Sequence, residues 1–310
     1  MTFQNLPDYG KVIQVFPEKK QVLLEGLYLS QQLAEMAAKI GRPLVVTDFL
    51  TDRNGVIAKA DENHVFRVPL ELRNASDWRL FQELMAQADV IISGQAYLKR
   101  ISLPGNTGED VLSQYEPGKA FEKLGDWRLS ACYKNRSPDV AIVSRSLDFK
   151  VPESVFGSGR MITVFTTDAL ARSEQARSLT ASGLIVVGSG EAGVDGKRMI
   201  DTLGLGMDYR VIMMATGPSV LGLLLEADRL DLFYVTEAQL EIPFNDPSAL
   251  QRMLPDGKKV DQLDGFGIVH RYLQENVLTE DGSQISQLFL RYDRKGALED
   301  GSHRSGKEPA

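Results

Sequence analysis

Val211-Ile212-Met213-Met214-Ala215-Thr216-Gly217-Pro218-Ser219-Val220-Leu221-Gly222 is the stretch on which the reading of this chain turns. Four apolar residues predict a short buried strand. Gly217 lets a ligand approach the backbone closely. Pro218 stands where the first turn of a helix needs no donor. Ser219 and Val220 then offer N–H groups and the positive end of a helix dipole, a ready anion site. A plain strand-to-helix turn would be spelled the same way, so the surroundings have to decide.

Outward from this turn the chain alternates. Ser219 to Arg229 predicts a helix and Leu232 to Leu240 a strand. Upstream, Lys197 to Leu205 predicts a helix, and Val140 to Ser144, Met161 to Thr166 and Leu184 to Val187 predict short strands. Asn74-Ala75-Ser76-Asp77 predicts a helix cap leading through Gln87, with Trp78, Phe81, Leu84 and Met85 on one face. Val90 to Ser93 and Leu44 to Leu50 are further strands, and residues 102–137 read as a long irregular connection. Near the start, Lys11 to Phe16 alternates like a strand, and Val22 to Ile40 has near-helical spacing up to Gly41. Near the end, Gly267 to Leu273 and Gln287 to Tyr292 flank Glu280-Asp281-Gly282, a hairpin signal. Strands alternating with helices predict an α/β fold: a mostly parallel central sheet covered on both faces, three layers in all, with an antiparallel C-terminal hairpin as its edge. The expected division is an N-terminal extension over 1–41 packing on a main domain over 42–295, with a disordered polar tail over 296–310.

Gly188-Ser189-Gly190-Glu191-Ala192-Gly193 matches the dinucleotide fingerprint by letter. The physics asks for a helix opening at the third glycine. Val194-Asp195-Gly196 intervenes, and the next strand ends without an acid to hold a ribose. A flexible glycine loop is the favoured reading, and the Rossmann enzyme the alternative.

Composition narrows the classes. Of 310 residues, 43% are hydrophobic and 25% charged, an ordinary globular balance. Lys and Arg total 35 against 42 Asp and Glu, a net charge of −7 with no basic run. That argues against nucleic-acid or anionic-membrane partners but permits a locally positive pocket. Cys132 is the single cysteine, and His64, His270 and His303 are far apart, so no disulfide or metal-ligand spacing is expected. A polar N-terminus and the lack of a spanning apolar run make a cytoplasmic location the expectation.

Set beside the turn at 217, several segments resemble one family in the right order. Thr216-Gly217-Pro218-Ser219 through Leu225-Glu226-Ala227-Asp228 resembles the Gly-Gly-Pro-Thr and Leu-Leu-Glu-Ala motifs of the riboflavin-pathway pyrimidine reductases, relatives of dihydrofolate reductase. Asn54-Gly55-Val56-Ile57-Ala58 resembles their first turn. Ala88-Asp89-Val90-Ile91-Ile92-Ser93-Gly94-Gln95 resembles their second cofactor loop, and Pro138-Asp139-Val140-Ala141-Ile142-Val143-Ser144-Arg145 the strand whose end grips the adenosine side. The resemblance covers roughly residues 42–295. The family's fused deaminase signature, His-x-Glu with Pro-Cys-x-x-Cys, does not occur in this sequence.

The resemblance implies a dihydrofolate reductase-like fold, NADPH as cofactor, a small (phospho)ribosylamino-pyrimidine or related heterocycle as substrate, and a homodimer. It implies cofactor contacts at Ser93, Gly94 and Gln95, at Ser144 and Arg145 for the 2′-phosphate, at Thr166 and Thr167 for the adenosine, and at Gly217, Pro218, Ser219 and Val220 for the diphosphate. An Arg fork beside a hydroxyl suits a phosphate dianion. Asp48 and Asp52, on one strand face near the end of the first strand, are the candidate catalytic carboxylates; for Asp52 the alternative is a turn carboxylate holding backbone N–H groups. Asn54 and His64 are candidate substrate contacts, with a solvated loop as the alternative for His64. Trp78 and Trp127 read as core residues. The sequence departs from the family at Ala215-Thr216, where an acid and a glycine are expected. That departure leaves open a second reading, a non-catalytic nucleotide-binding relative.

Overall fold

The computed structural model describes residues 9–62, 64–95, 121–149, 159–244 and 246–298. Along the chain come β1 (Lys11–Phe16), β2 (Lys20–Leu23), α1 (Leu33–Ile40), β3 (Leu44–Thr51), β4 (Val56–Ala60), β5 (Phe66–Arg67), α2 (Ala75–Gln87), β6 (Val90–Gly94) and α3 (Glu122–Ser130). Then follow β7 (Asp139–Val143), β8 (Ile162–Thr166), α4 (Glu174–Ala181), β9 (Ile185–Gly188), α5 (Gly196–Asp201), β10 (Val211–Met214), α6 (Pro218–Glu226), β11 (Leu232–Ala238), β12 (Leu250–Arg252), β13 (Phe266–Leu278) and β14 (Gln284–Arg294).

Eleven strands form one sheet in the order β2-β1-β13-β14-β11-β3-β10-β6-β7-β8-β9, and β12-β4-β5 form a small second sheet. From β11 to β9 the pairing is parallel, and from β2 to β14 antiparallel. The interior parallel strands are buried on both faces, which is why they read as continuous apolar runs, whereas the outermost, β9, is partly exposed. Leu44, Val46, Ile91, Val140 and Met213 pack with Leu80, Leu84 and Met85 of α2 on one face. Val45, Ile212 and Phe233 pack with Val220, Leu221 and Leu224 of α6 on the other.

The chain leaves β3 for β6 under α2, then returns to insert β10 between them before crossing to β11 under α6. Neighbouring strands whose connections cover opposite faces open a crevice at their C-terminal ends, where open α/β sheets bind ligands. The N-terminal ends are closed by aspartates. Asp89 Oδ2 accepts from the N–H groups of Arg210 (2.8 Å) and Val211 (2.9 Å). Asp139 Oδ1 accepts from Met161 N–H at 2.7 Å. Asp231, almost fully buried, accepts from Val45 N–H at 2.8 Å and from the Arg42 guanidinium at 2.7 Å. Each Asp thus satisfies a donor that a neighbouring strand would otherwise strand at the sheet edge.

Four expectations change. Residues 22–40 are not one helix: β2 ends at Leu23 and α1 begins only at Leu33. The intervening chain is held by buried polar groups of α2. Glu83 accepts from the N–H groups of Gly26 (2.6 Å) and Tyr28 (3.0 Å), and Gln87 from that of Leu33 (3.0 Å). The expected irregular stretch contains α3, whose Arg128 reaches the carbonyls of Ala86 and Ala88 (2.8 and 2.6 Å) and caps the end of α2. The β13–β14 hairpin is interior, because β1 pairs with β13 and carries the edge outward to β2. Residues 296–298 form a turn with Ala297 buried, while 299–310 lie outside the described residues. Trp78 stacks on Phe81 at 5.2 Å and packs with Trp127 in a satellite core, as read.

Candidate functional site

The C-terminal rim of the parallel strands gathers the segments singled out from the sequence. Ala215 N–H donates to Ile92 C=O at 3.0 Å, so β10 and β6 end side by side. A Cβ added to Gly94 would lie 2.9 Å from Thr216 Oγ1. The glycine of one loop is therefore the seat for the threonine of the next, and Thr216 fills space that a second glycine would leave open. Beside them Ser144 Oγ donates to Gln95 Oε1 at 2.7 Å, and Gln95 Nε2 donates to Ser146 Oγ at 2.8 Å. Ser93 and Ser144 are buried on the α2 face, with Thr166 in line beyond them; Thr166 Oγ1 is buried and unpartnered among the described residues. Thr167 turns back to the chain and accepts from Leu170 N–H at 3.2 Å. Arg145 is exposed and makes no hydrogen bond or ion pair among the described residues.

At the turn after β10, Gly217 is the N-cap and Pro218 opens α6. Val220 N–H closes on Gly217 C=O at 3.2 Å, so it is not the free donor expected from sequence. The N–H groups of Thr216, Gly217 and Ser219 have no partner among the described residues. Gly217 has φ −76°, so its backbone conformation does not demand glycine. What its missing Cβ leaves is access, with Gln251 the nearest side chain at 3.9 Å.

A group of carboxyls and hydroxyls gathers where β3 meets α2 and β11. Asp48 Oδ1 is buried without a partner among the described residues. Burial, and then the neighbouring Asp77 carboxylate, push the Asp48 carboxyl well above its ordinary range, against the pull of the Phe49 N–H. Asp77, in the first turn of α2, is pushed up to about 6 by burial, opposed by the nearby Thr236 hydroxyl. Two carboxyls crowded together and poorly solvated are harder to ionise together, so the pair gives up its protons at higher pH than free carboxyls do. Tyr28 completes the group: its ring lies 4.8 Å from that of Tyr234, and its buried hydroxyl has no partner among the described residues.

Asp52 does different work. Its Oδ1 accepts from the N–H groups of Asn54 and Val56, both at 2.8 Å, and its Oδ2 from Ile242 N–H at 2.9 Å. Fully buried and fully engaged, it holds the β3–β4 turn. Asn54 is exposed there, and its carbonyl accepts from Arg252. His64 is exposed in the β4–β5 turn with φ 57°.

Sequence reading missed Asp77, Tyr28 and Thr236. Asp77 sits three residues after the cap Asn74, whose side chain accepts from its N–H at 2.9 Å. An acid there looks like ordinary helix-start electrostatics. Only the fold reveals that it is buried against a second carboxyl on β3.

The glycine loop 188–193 lies at the outer end of the same rim, where Ser189 N–H donates to Thr166 C=O at 2.8 Å. It follows β9, the outermost strand, so no crevice forms beside it. Asp168 N–H donates to Gly190 C=O at 2.8 Å, and Arg198 closes over the loop to Asp168 at 3.0 Å. The next helix starts at Gly196, capped by Asp195 rather than by a ligand-facing glycine.

No family model matches this chain, and no curated protein matches it in sequence. Its fold does have counterparts. A pyrimidine reductase-like protein from Corynebacterium diphtheriae aligns over 88% of this chain and 99% of its own, with TM-score 0.58 and 18% identity. The riboflavin biosynthesis reductase of Saccharomyces cerevisiae aligns over 86% of this chain and 98% of its own, with TM-score 0.52 and 14% identity. RibD of Acinetobacter baumannii aligns over 82% of this chain but 58% of its own, with TM-score 0.50 and 12% identity. The chain thus has the α/β, dihydrofolate reductase-like fold that its motifs imply. Within that class, the fold it shares is that of the riboflavin-pathway pyrimidine reductases. Among the described residues no helix is long and apolar enough to cross a membrane, and no cluster of His, Cys, Asp or Glu could hold a metal ion.

Proposed function

We propose that the protein is an NADPH-dependent reductase of a (phospho)ribosylamino-pyrimidine or a related heterocycle. One observation carries the reading. Unspent donors at Thr216, Gly217 and Ser219, the free Arg145 guanidinium and the crowded Asp48–Asp77 carboxyls, with Asp48 Oδ1 unpartnered among the described residues, all stand on one rim of one sheet. The residues fit the cofactor: three backbone N–H groups at a helix start suit diphosphate oxygens, Arg145 suits a 2′-phosphate, and the orphan Thr166 hydroxyl suits a ribose or adenine acceptor. When bound, the dinucleotide supplies the hydride. The chain's own residues bind and orient. Gly94 and Thr216 keep the two cofactor loops in contact, and Gln95 ties the β6 loop to the β7 loop. The Asp48–Asp77 pair holds a proton at a carboxyl oxygen, ready to deliver it to a substrate nitrogen or oxygen.

The test is calorimetric titration with NADPH and NADH. Wild type is expected to prefer NADPH, Arg145→Ala to lose that preference, and Asp48→Asn to bind NADPH while losing turnover of a ribosylaminopyrimidine. Equal affinity of wild type for both dinucleotides, or turnover unchanged in Asp48→Asn, contradicts the reading.

A further inference from the structure

Across four neighbouring strands one register row is polar: Asp48 on β3, Tyr234 on β11, Arg291 on β14 and His270 on β13. The outer two members of the row, Arg291 and His270, line a cavity of about 530 Å³ between the β1–β2 hairpin, α1 and the β13–β14 hairpin. That volume lies within the usual range for a small-molecule site. Val22, Leu27 and Met36 give it apolar walls.

Two of its polar side chains are left with unspent atoms. Gln31 Oε1 accepts from the Tyr234 hydroxyl at 2.5 Å and from Arg291 Nη1 at 2.9 Å. A guanidinium only donates, so the amide cannot be turned over, and Gln31 Nε2 is fixed as a pure donor on the opposite side. It is buried there with no partner among the described residues, as is His270 Nδ1. Buried polar atoms are normally paired, and a concentration of exceptions marks a place where something binds.

The charges say what kind of molecule. Arg291 is held in a two-pronged pair with Asp293 at 2.7 Å, and Glu25 at the rim is paired with Arg79 at 3.3 Å. Burial, then Arg291 and least of all Lys20, push the His270 imidazole below its ordinary range. Lys20 lines the cavity and makes no ion pair or hydrogen bond with its ammonium among the described residues. It is the lining cation without a counter-ion. His270 is three strand spacings from Asp48, about 14 Å, so a ligand here would not displace one at the rim.

We propose that this cavity is a second small-molecule site, separate from the dinucleotide rim. It takes a compact metabolite bearing a carboxylate or a monophosphate: Lys20 meets the anion, and the Gln31 amide and the His270 imidazole bind its oxygens. The proposal does not depend on the reductase reading, because none of these residues belongs to the cofactor rim.

The test uses the full chain and titration calorimetry at millimolar probe, with glycerol 3-phosphate and malonate as anions and glycerol as the neutral control. Lys20 and Leu23 are exposed, so substitutions there spare the core. The expected result is binding of an anion but not of glycerol, with the phosphate and carboxylate arms showing which anion is preferred. Lys20→Glu should weaken binding about tenfold or more, the size of one charged hydrogen bond. Leu23→Trp, which fills the mouth, should weaken it as well, and Arg145→Ala should leave it unchanged. The proposal is overturned if neither anion binds wild type, if Lys20→Glu and Leu23→Trp bind as wild type does, or if Arg145→Ala abolishes binding.

Discussion

The two ends of the parallel sheet use their polar groups in opposite ways. At the N-terminal end Asp89, Asp139 and Asp231 spend their carboxylates on backbone donors of neighbouring strands. At the C-terminal end an oxygen of Asp48 and the Thr166 hydroxyl are buried without partners among the described residues, and three N–H groups precede or open α6 unused. Polar groups fully spent inside the chain hold a fold together. Groups buried or aimed but unspent cost stability, and a chain keeps them where a ligand will complete them.

That contrast can be broken most strongly at the satisfied end. Asp231→Ala strands the Val45 N–H and frees Arg42, and chemical denaturation is expected to show a loss of about 2–4 kcal/mol. A loss within experimental error would remove Asp231 from the account. At the unsatisfied end the sign reverses. A carboxyl whose folded pKa is raised contributes stability below its ordinary range and loses it as pH rises through the folded value, here about 6 for Asp77. Asp77→Asn and Asp48→Asn should therefore become more stable than wild type as pH climbs past that value, by about 1–2 kcal/mol. In each case turnover should fall by about a hundredfold or more. Destabilisation of both variants at neutral pH would contradict a crowded carboxyl pair.

The smaller effects sharpen the picture. Arg145→Ala should leave stability within about 0.5 kcal/mol of wild type, as for an exposed residue, while reducing the preference for NADPH over NADH by about tenfold or more. Equal preference in the two proteins would remove Arg145 from the site. Gly94→Ala should cost about 1 kcal/mol, because its new Cβ meets Thr216 Oγ1. Thr216→Gly in the same chain should return most of it, and a double-mutant cycle reads the coupling.

Much of this was legible in the sequence because it lies on the parallel strands. Their unbroken apolar runs and the Gly217-Pro218 start of α6 carry local signals strong enough to place the rim and to discount the loop at 188–193. What was hidden depends on distant pairing. The chain from Gly26 to Leu33 looks like part of a continuous α-helix, yet Glu83 and Gln87 take its donors and hold it as turns and a single 3-10 turn over Leu29–Gln31. Tyr28 reaches Tyr234 only through that anchoring. Asp52 and Asp48 look alike on one strand face. Whether a carboxylate is spent on a turn or left beside Asp77 is settled by Ile242 and α2, far away in the sequence.

The central claim is that the unspent N–H groups around Gly217 receive the diphosphate of a reduced dinucleotide. Amide hydrogen exchange with and without saturating NADPH tests it directly. The account predicts new protection at Thr216, Gly217 and Ser219. Protection at 188–193 instead, or no change at Thr216 to Ser219 while NADPH is demonstrably bound, would contradict it.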